Sequence, residues 1–426
     1  MTKEKAQHRR TLLSNEARIA VPWVKVTIGD YTFGVFDRKT RSLVDQGNNY
    51  TKYDVQFPNY IQSLSIIKIN GQVNQYTLQL LYPVTTTNDP NFFEKVFSSV
   101  STSRKIVFTY GDASVPAYVY KDEEAIITKV SQNFNLEGSS ISYTISAISS
   151  AVLTKTGHFN FINITPRKPS DEIKRVLRDA RYGLKNVFTG MSDANIDRLI
   201  AGSDKAVTLE PKLNISPLDY ISYLVGCMVP ASSTTSNLSS EMYILTIHDD
   251  IIYETSEPTD IQARGPYFKV TKTSTAIERG DAYEVDIGIN TSTIVQKFSI
   301  DQQENFSLFF DYNSKLTPEQ YSRRLNNAGQ WEDVYAPMYT SGNDSFLTRE
   351  EDTVWYTKLT KYPISATLEL RGLLRPAHLM QNLRLNVIFP GGNKHISSGL
   401  YIITKQIDTI NLSGYTTSLG LTRIAD

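Results

Sequence analysis

Short runs in which apolar and polar residues alternate dominate this chain, and this is the pattern of strands with one buried face. The clearest run is ISYTISAI, residues 141–148, whose odd-numbered positions are apolar and whose even-numbered positions are mostly Ser or Thr. Two earlier runs, YIQSLSIIKI and QYTLQLLY, are joined through Asn70-Gly71, a dipeptide that favours a type I′ hairpin. The pattern predicts a mainly β fold with a hairpin between those two runs.

Helical spacing of apolar residues is found in a few segments. NDPNFFEKVFSSV begins with Asn88 and Asp89; Asp89 can cap a helix, and the segment predicts a short helix laid on a sheet. Two more segments lie between about residues 156 and 262, one following Ser170 and one opened by Ser216-Pro217. They predict a small mixed α/β domain inserted into the strand-rich chain.

One segment of the chain is repeated near its end. IITKVSQNFNLEG, residues 126–138, matches IITKQIDTINLSG, residues 402–414, at seven of thirteen positions without a gap. The runs QYTLQLLYP, RKIVFTYGD and ISYTISAI have looser counterparts, in the same order, in ISATLELRGL, LRLNVIFPGG and YTTSLGLTRI. Chance similarity between amphipathic strands is the alternative, and the shared order disfavours it. The chain is therefore predicted to contain one β-domain twice.

These patterns divide the chain into four predicted regions. They are a polar N-terminal arm, a first antiparallel β-barrel, an inserted α/β domain and a second antiparallel β-barrel, at residues 1–20, 21–155, 156–262 and 263–426. The arm is either a frayed terminus or a segment that becomes ordered against a neighbouring subunit.

Composition excludes several classes of protein. Lys plus Arg and Asp plus Glu each total 44, so the chain has no overall field that attracts nucleic acid, and we expect no specific nucleic-acid recognition. The charged first residues do not resemble a secretory signal peptide, and no apolar run is long enough for a transmembrane helix. We expect synthesis in the cytoplasm and no membrane insertion.

The sequence contains no recognisable catalytic, cofactor-binding or metal-binding constellation, so we predict no such residues and no cofactor. Cys227 lies in an apolar run and is interpreted as a buried, inert thiol. KDEEA, residues 121–125, is interpreted as a solvated turn, not a pair of catalytic carboxylates. Pro390-Gly391-Gly392 is interpreted as a hairpin turn because the spacing of a phosphate loop is absent.

The histidines do not form a metal-binding pattern. Only His248-Asp249-Asp250 is suggestive, and adjacent strand positions point to opposite faces. The five histidines are His8, His158, His248, His378 and His395.

Two stretches resemble the central hub proteins of phage tail baseplates, a family that includes late-control proteins of contractile phages and the base of type VI secretion spikes. The first comprises ISATLELRGLLRPAHLMQNLRLNVIFP and SSGLYIITKQIDTINLSGYTTSLGLTRI, residues 364–390 and 397–424. The second is PSDEIKRVLRDARYGL, NISPLDYISYLVGCMV and MYILTI, which is similar to the helix, helix, strand order of the domain between the two hub barrels. Residues 37–56 and 306–356 depart from the family pattern.

The resemblance implies a structural protein of the virion tail, made in the host cytoplasm, and not an enzyme. It implies two tail-tube-like barrels, a homotrimer, and a ring-forming adaptor of a contractile injection system that joins the hexameric tail tube to the trimeric central spike and encloses the channel. Implied partners are the tail tube protein, the central spike protein and other baseplate or tape-measure proteins; interface residues cannot be named. A distal-tail or secretion-spike protein, or a cell-wall-binding or cell-wall-hydrolysing tail protein, is the alternative.

Overall fold

A computed structural model provides the fold of most of the 426-residue chain. It describes residues 22–34, 57–58, 60–84, 89, 91–99, 104–112, 119–135, 140–162, 165–228, 230–231, 243–249, 266–272, 283–289, 291–292, 294–302, 364–371 and 379–425. The predicted arm at residues 1–20 and the two segments that depart from the family pattern lie outside the described residues.

The chain order is strand-rich at both ends and mixed in the middle. The first part contains β1 (Pro22–Ile28), β2 (Tyr31–Gly34), β3 (Phe57–Pro58), β4 (Ile61–Ile69), β5 (Gln75–Pro83), α1 (Phe92–Ser99), β6 (Lys105–Asp112), β7 (Val119–Asn135) and β8 (Ser140–Ser149). The middle part contains β9 (Phe159–Phe161), α2 (Pro169–Arg178), α3 (Leu184–Val187), α4 (Asp193–Leu199), β10 (Lys212–Ile215), α5 (Pro217–Gly226), β11 (Tyr243–His248) and β12 (Tyr267–Lys272), with short 3₁₀ turns at Ser150–Lys155 and Ala180–Tyr182. The last part contains β13 (Tyr283–Gly288), β14 (Val295–Gln302), β15 (Ile364–Arg371), β16 (Asn382–Ile388), β17 (Gly399–Asn411) and β18 (Gly414–Ala425).

One hydrogen-bonded sheet runs through both strand-rich parts. Its order is β14-β15-β18-β17-β4-β5-β8-β7-β6-β1-β2-β3, and β13 is attached through β16, which pairs with β17. The mainly β fold with a mixed insertion is therefore confirmed. Closure of either strand set into a barrel stays a prediction, because the pairings among the described residues follow an open path.

Three large hydrophobic clusters lie in the described part of the chain. One is built on β1, β2, α1 and β4 to β8, one on β13 to β18, and one on the helices of the middle part. The last also includes Phe268 and Val270 of β12, a strand that pairs with β11. The boundaries between the four predicted regions stay a prediction.

The repeat found in the sequence is a repeat of structure. The strands β4-β5-β8-β7-β6 pair in the same order as β14-β15-β18-β17-β16. The register also matches: Leu78 of β5 pairs with Ile145, and Leu368 of β15 pairs with Leu419. These four residues are all buried, as expected because register is set by which face of a strand is buried.

Even the irregularities of the ladder are duplicated. The β7–β8 register shifts between Ile127 and Lys129, and the β17–β18 register shifts between Ile403 and Lys405. In each bulge the intervening threonine donates its hydroxyl to a carbonyl of the next strand, at 3.1 Å in one unit and 3.2 Å in the other. The shared letters ITK therefore encode a β-bulge, a local feature that proteins use to bend a strand.

The two units differ at the strand beyond this five-strand repeat. In the first unit β1 pairs antiparallel with β6. In the second unit β13 pairs parallel with β16, the counterpart of β6. The duplicated units therefore expose different outer surfaces.

The hairpin predicted at Asn70-Gly71 is confirmed, but its turn type is wrong. β4 and β5 pair antiparallel, and Gly71 has φ of +70°. Asn70 is not among the described residues with positive φ, as a type I′ turn would require. Instead the backbone amides of Asn70 and Gly71 donate to the carbonyls of Thr404 and Leu245, so contacts with other elements determine the turn.

The predicted helix starts are confirmed at two positions and wrong at one. Asp89 accepts a hydrogen bond from the Asn91 amide before α1, and Ser216 accepts one from the Asp219 amide at the start of α5. Ser170 does not precede its helix, because α2 begins at Pro169. Its hydroxyl donates to Asp204, which also accepts the Ser170 amide.

Within the part of the chain that the structure describes, no helix is both long and apolar enough to cross a lipid bilayer.

Gly288 is the position where the second unit most requires glycine. It has φ of +109°, and an added Cβ would lie 1.9 Å from the carbonyl oxygen of Ile388 on the paired strand. Gly71 also has positive φ, but nothing lies within 4 Å of an added Cβ. Strain alone should cost Gly71→Ala about 1–2 kcal/mol, whereas Gly288→Ala should cost more because β13 must also separate from β16. Denaturant midpoints of the two variants test this, and equal losses would contradict it.

Candidate functional site

The two repeated units meet along one pair of strands. Residues Lys405–Asn411 of β17 pair antiparallel with Ser63–Ile69 of β4. Ile410 and Tyr415, which belong to the β17–β18 hairpin, lie in the hydrophobic cluster of the first unit. We name this pairing of β4 with β17 the junction. Along it the two units share a hydrogen-bond ladder and a hydrophobic core.

A buried ion pair lies beside the junction. The ammonium group of Lys68 on β4 pairs with Glu123 on β7, whose side chain is 0% exposed. Tyr76 and Tyr110 donate their hydroxyls to the two Glu123 oxygens at 3.0 and 3.2 Å. A buried carboxylate needs such partners, because an unpaired charge in a protein interior is strongly unfavourable.

The alternation of the strands accounts for the position of these charges. On β4, Leu64, Ile66 and Lys68 share the buried face. On β7, Glu123 is followed on the buried face by Ala125 and Ile127. Lys68 and Glu123 thus occupy core positions, so the interpretation of KDEEA as a solvated turn is wrong. The segment lies within β7, and a distant lysine neutralises its buried carboxylate.

Asp249, directly after β11, brings the middle part of the chain into the same cluster. It accepts hydrogen bonds from Asn74 at 2.7 Å and from the hydroxyl of Ser149, and one of its oxygens lies 3.0 Å from the Tyr76 hydroxyl. Burial, together with the negative charge of Glu123, raises the pKa of Asp249 to about 7, although its hydrogen bonds oppose the shift. This carboxyl is therefore protonated more readily than an ordinary aspartate.

Tyr76 connects the two carboxyl groups. Its hydroxyl lies 3.0 Å from an oxygen of Glu123 and 3.0 Å from an oxygen of Asp249, but it carries a single hydrogen. A proton on Asp249 satisfies both contacts, because Asp249 then donates to Tyr76 and Tyr76 donates to Glu123. Burial and both neighbouring carboxyls raise the pKa of Tyr76 itself well above its ordinary value.

The second unit contributes another buried carboxyl. Asp408 on β17 accepts hydrogen bonds from Thr417 at 2.7 Å, from Tyr415 at 3.0 Å and from Gln406. Burial raises the pKa of Asp408, while its hydrogen bonds and the charge of Lys68 counteract the rise. Lys68 therefore interacts with one carboxyl from each unit.

This buried polar cluster, defined as Lys68, Tyr76, Glu123, Asp249 and Asp408, is suited to holding elements together. Its members come from β4, β5, β7, β17 and the residue after β11. Within the described ranges, no group of three or more His, Cys, Asp and Glu side chains is arranged to hold a metal ion. The chemistry of the cluster is charge neutralisation and hydrogen bonding across the three parts of the chain.

The other residues considered from the sequence are dispersed. Cys227 is 1% exposed, which confirms that it is buried. His248 stacks on Tyr267 and contacts the Thr246 hydroxyl, while Asp249 enters the polar cluster. His395 contacts Ser397, and His158 is exposed. His8, His378 and Asp250 lie outside the described residues.

The segment Pro390-Gly391-Gly392 forms the predicted turn. The Phe389 amide donates to the Asn393 carbonyl, and both glycines have positive φ. The prediction of a hairpin turn is confirmed.

Comparisons with known proteins find similarity at the level of structure. No protein-family model matches the chain, and no curated protein matches it. A tail protein from Neisseria meningitidis is similar with a TM-score of 0.47 and 8% identity, over 94% of this chain and 96% of that one. An E. coli component of the type VI secretion system, described as similar to tail proteins of bacteriophage T4, has a TM-score of 0.42 and 8% identity, over 85% and 73%.

A Francisella PdpA–VgrG complex is also similar, with a TM-score of 0.49 and 10% identity. The similarity covers 97% of this chain and 54% of that one, so the chain spans about half the length of that protein. These three solved structures are tail and secretion-system proteins.

Loss of Lys68 should destabilise the fold more than loss of its partner. Lys68→Met leaves Glu123 and Asp408 without their cation, and breaking a buried pair in this way typically costs about 3–5 kcal/mol. Glu123→Gln should cost less, because Lys68 keeps Asp408. Lys105→Met, which removes an exposed pair with Glu124, should leave the unfolding midpoint unchanged. Chemical denaturation of the three variants measures the order, and a neutral Lys68→Met would contradict it.

Asp249 should make stability depend on pH. Its pKa is about 7 when folded and near 3.8 when unfolded, so its contribution is fully present below the lower value and is lost as pH rises through the upper one. Asp249→Asn should therefore flatten the dependence of the unfolding midpoint on pH between those values. The control is Thr367→Ala, an exposed change on β15. An unchanged slope in Asp249→Asn would contradict the assignment.

Proposed function

We propose that this chain is a structural hub of a phage tail baseplate, a ring-forming adaptor that joins the hexameric tail tube to the trimeric central spike and encloses the channel. The observation that supports it most strongly is the duplicated five-strand unit, joined edge to edge within one chain. Repeated complementary edges are what a closed ring requires.

The duplication fits a change of symmetry. Two similar units in each of three chains provide six similar surfaces, which match a hexameric tube, while the chains themselves keep threefold symmetry for a spike. The different outer strands, antiparallel β1 and parallel β13, give the two units different surfaces for such different neighbours.

The proposed work is done by interfaces and not by catalysis. The proposed partners are two further copies of this chain, the tail tube protein, the central spike protein and other baseplate or tape-measure proteins. The proposed location is the virion tail, and the proposed domain boundaries are those predicted from the sequence. The buried polar cluster supports this role because it binds the inserted part to both units through Asp249 and Asp408.

Assembly state tests the proposal. Mass photometry of the purified full chain, alone and with co-expressed tube and spike proteins of its own gene cluster, should detect a species of three times the 48.1 kDa subunit mass. Electron micrographs of that species should show a ring. A chain that stays monomeric with all these proteins present would overturn the proposal, and lysis of cell-wall material by the purified chain would favour the hydrolytic alternative.

A further inference from the structure

Two strand edges have no partner strand among the residues that the structure describes. One is the outer edge of β7 from Lys129 to Asn135, beyond the last β6 pairing at Ile126. The other is the outer edge of β14, which pairs only with β15 on its inner side. Exposed strand edges are templates for pairing with another chain.

The repeat shows what each edge corresponds to. Residues 129–135 of β7 correspond to residues 405–411 of β17, because the bulges at Lys129 and Lys405 coincide. β14 corresponds to β4, because Leu64 pairs with Leu78 and Phe298 pairs with the counterpart of Leu78, Leu368. Each of the two strands also has a bulge directly before this residue, between Ile61 and Ser63 in β4 and between Val295 and Lys297 in β14. The counterparts of these two edges are therefore the strands that pair with each other at the junction.

Burial differs sharply between the edges and their counterparts. Phe134 on β7 is 62% exposed, whereas its counterpart Ile410 is 2% exposed. On β14, Phe298 and Ile300 are partly exposed, whereas their counterparts Leu64 and Ile66 are fully buried. Both edges thus present apolar side chains where the junction covers the equivalent ones.

We infer that the β7 edge of one copy pairs antiparallel with the β14 edge of a second copy, in the register of the β17–β4 junction. At the junction Ile410 pairs with Leu64 and Thr409 with Ser65. The corresponding pairs between copies are Phe134 with Phe298 and Asn133 with Ser299. The inference deepens the proposed ring by naming the surfaces that close it, and it rests on that ring.

The chemistry of the two edges is compatible with this register. Phe134 opposite Phe298 forms an aromatic cross-strand pair, a combination that stabilises antiparallel strands. Gln132 would lie opposite Ile300, and Ser131 opposite Asp301, so no like charges meet. The Gln132 side chain donates to Glu94 of α1 in its own copy. This contact uses only side-chain atoms, so the backbone groups of β7 are not involved in it. Because each copy offers two different edges, the contact is head-to-tail and generates a ring when it closes.

Disulfide trapping tests the register in the full chain. Asn133→Cys combined with Ser299→Cys places cysteines at directly opposed positions, and oxidation should give covalent species of two and three chains on non-reducing gels. Thr367, which pairs with Ser299 one strand further from the edge and is exposed, provides the matched control. Asn133→Cys with Thr367→Cys should give none. Native Cys227 is buried and stays in all variants.

A charge substitution provides an independent measurement. Phe134→Glu should abolish oligomers in mass photometry, whereas Leu412→Glu, at a similarly exposed apolar residue on the β17–β18 hairpin, should leave them intact. If the chain forms trimers but the in-register pair gives no crosslink and Phe134→Glu has no effect, the inference is overturned and the proposed function stands. If no variant or wild-type chain assembles with its partners, the ring itself is overturned.

Discussion

The structure depends on the need of a strand edge to have its backbone groups paired. β17 of the second unit satisfies the edge of β4 of the first, and this one ladder turns two separate five-strand units into a continuous sheet. Backbone amides and carbonyls left unpaired in a protein interior are strongly unfavourable. The hydrophobic cluster of the first unit extends across the ladder through Ile410 and Tyr415, so the two units cannot separate without exposing apolar surface.

The buried polar cluster makes the relative position of the two units specific. Hydrophobic contacts tolerate small shifts, but Lys68 must lie where it neutralises Glu123 and remains near Asp408. Buried charged groups of this kind contribute little net stability, while an incorrect arrangement is heavily penalised. Asp249 extends the same constraint to the middle part of the chain, and the relative placement of all three parts becomes specific.

Much of this could be predicted from the sequence where the signal is local. The alternation in ISYTISAI gives β8, the repeat that begins with IITK gives the duplicated unit, and Ser216-Pro217 marks the start of α5. The buried pair of Lys68 and Glu123 was missed because its partners are 55 residues apart and each looks like a surface residue in isolation. The sequence signal for this pair was the position of each residue, since Lys68 and Glu123 both stand where the alternation of their strand calls for an apolar residue. The parallel pairing of β13 could not be predicted, because strand direction depends on chain connections and not on composition.

The two repeated units differ in charge at the junction. The counterpart of Lys68 is Gln302, and the counterpart of Asp408 is Gln132, so the charged side chains of the junction have neutral amides at the matching positions. If a chain exchanged its own β17 for the β7 of a neighbour, Lys68 would keep Glu123 but would have Gln132 in place of Asp408. An exchange of this kind removes one carboxyl from the surroundings of a buried cation, which favours the pairing of β4 with the β17 of the same chain.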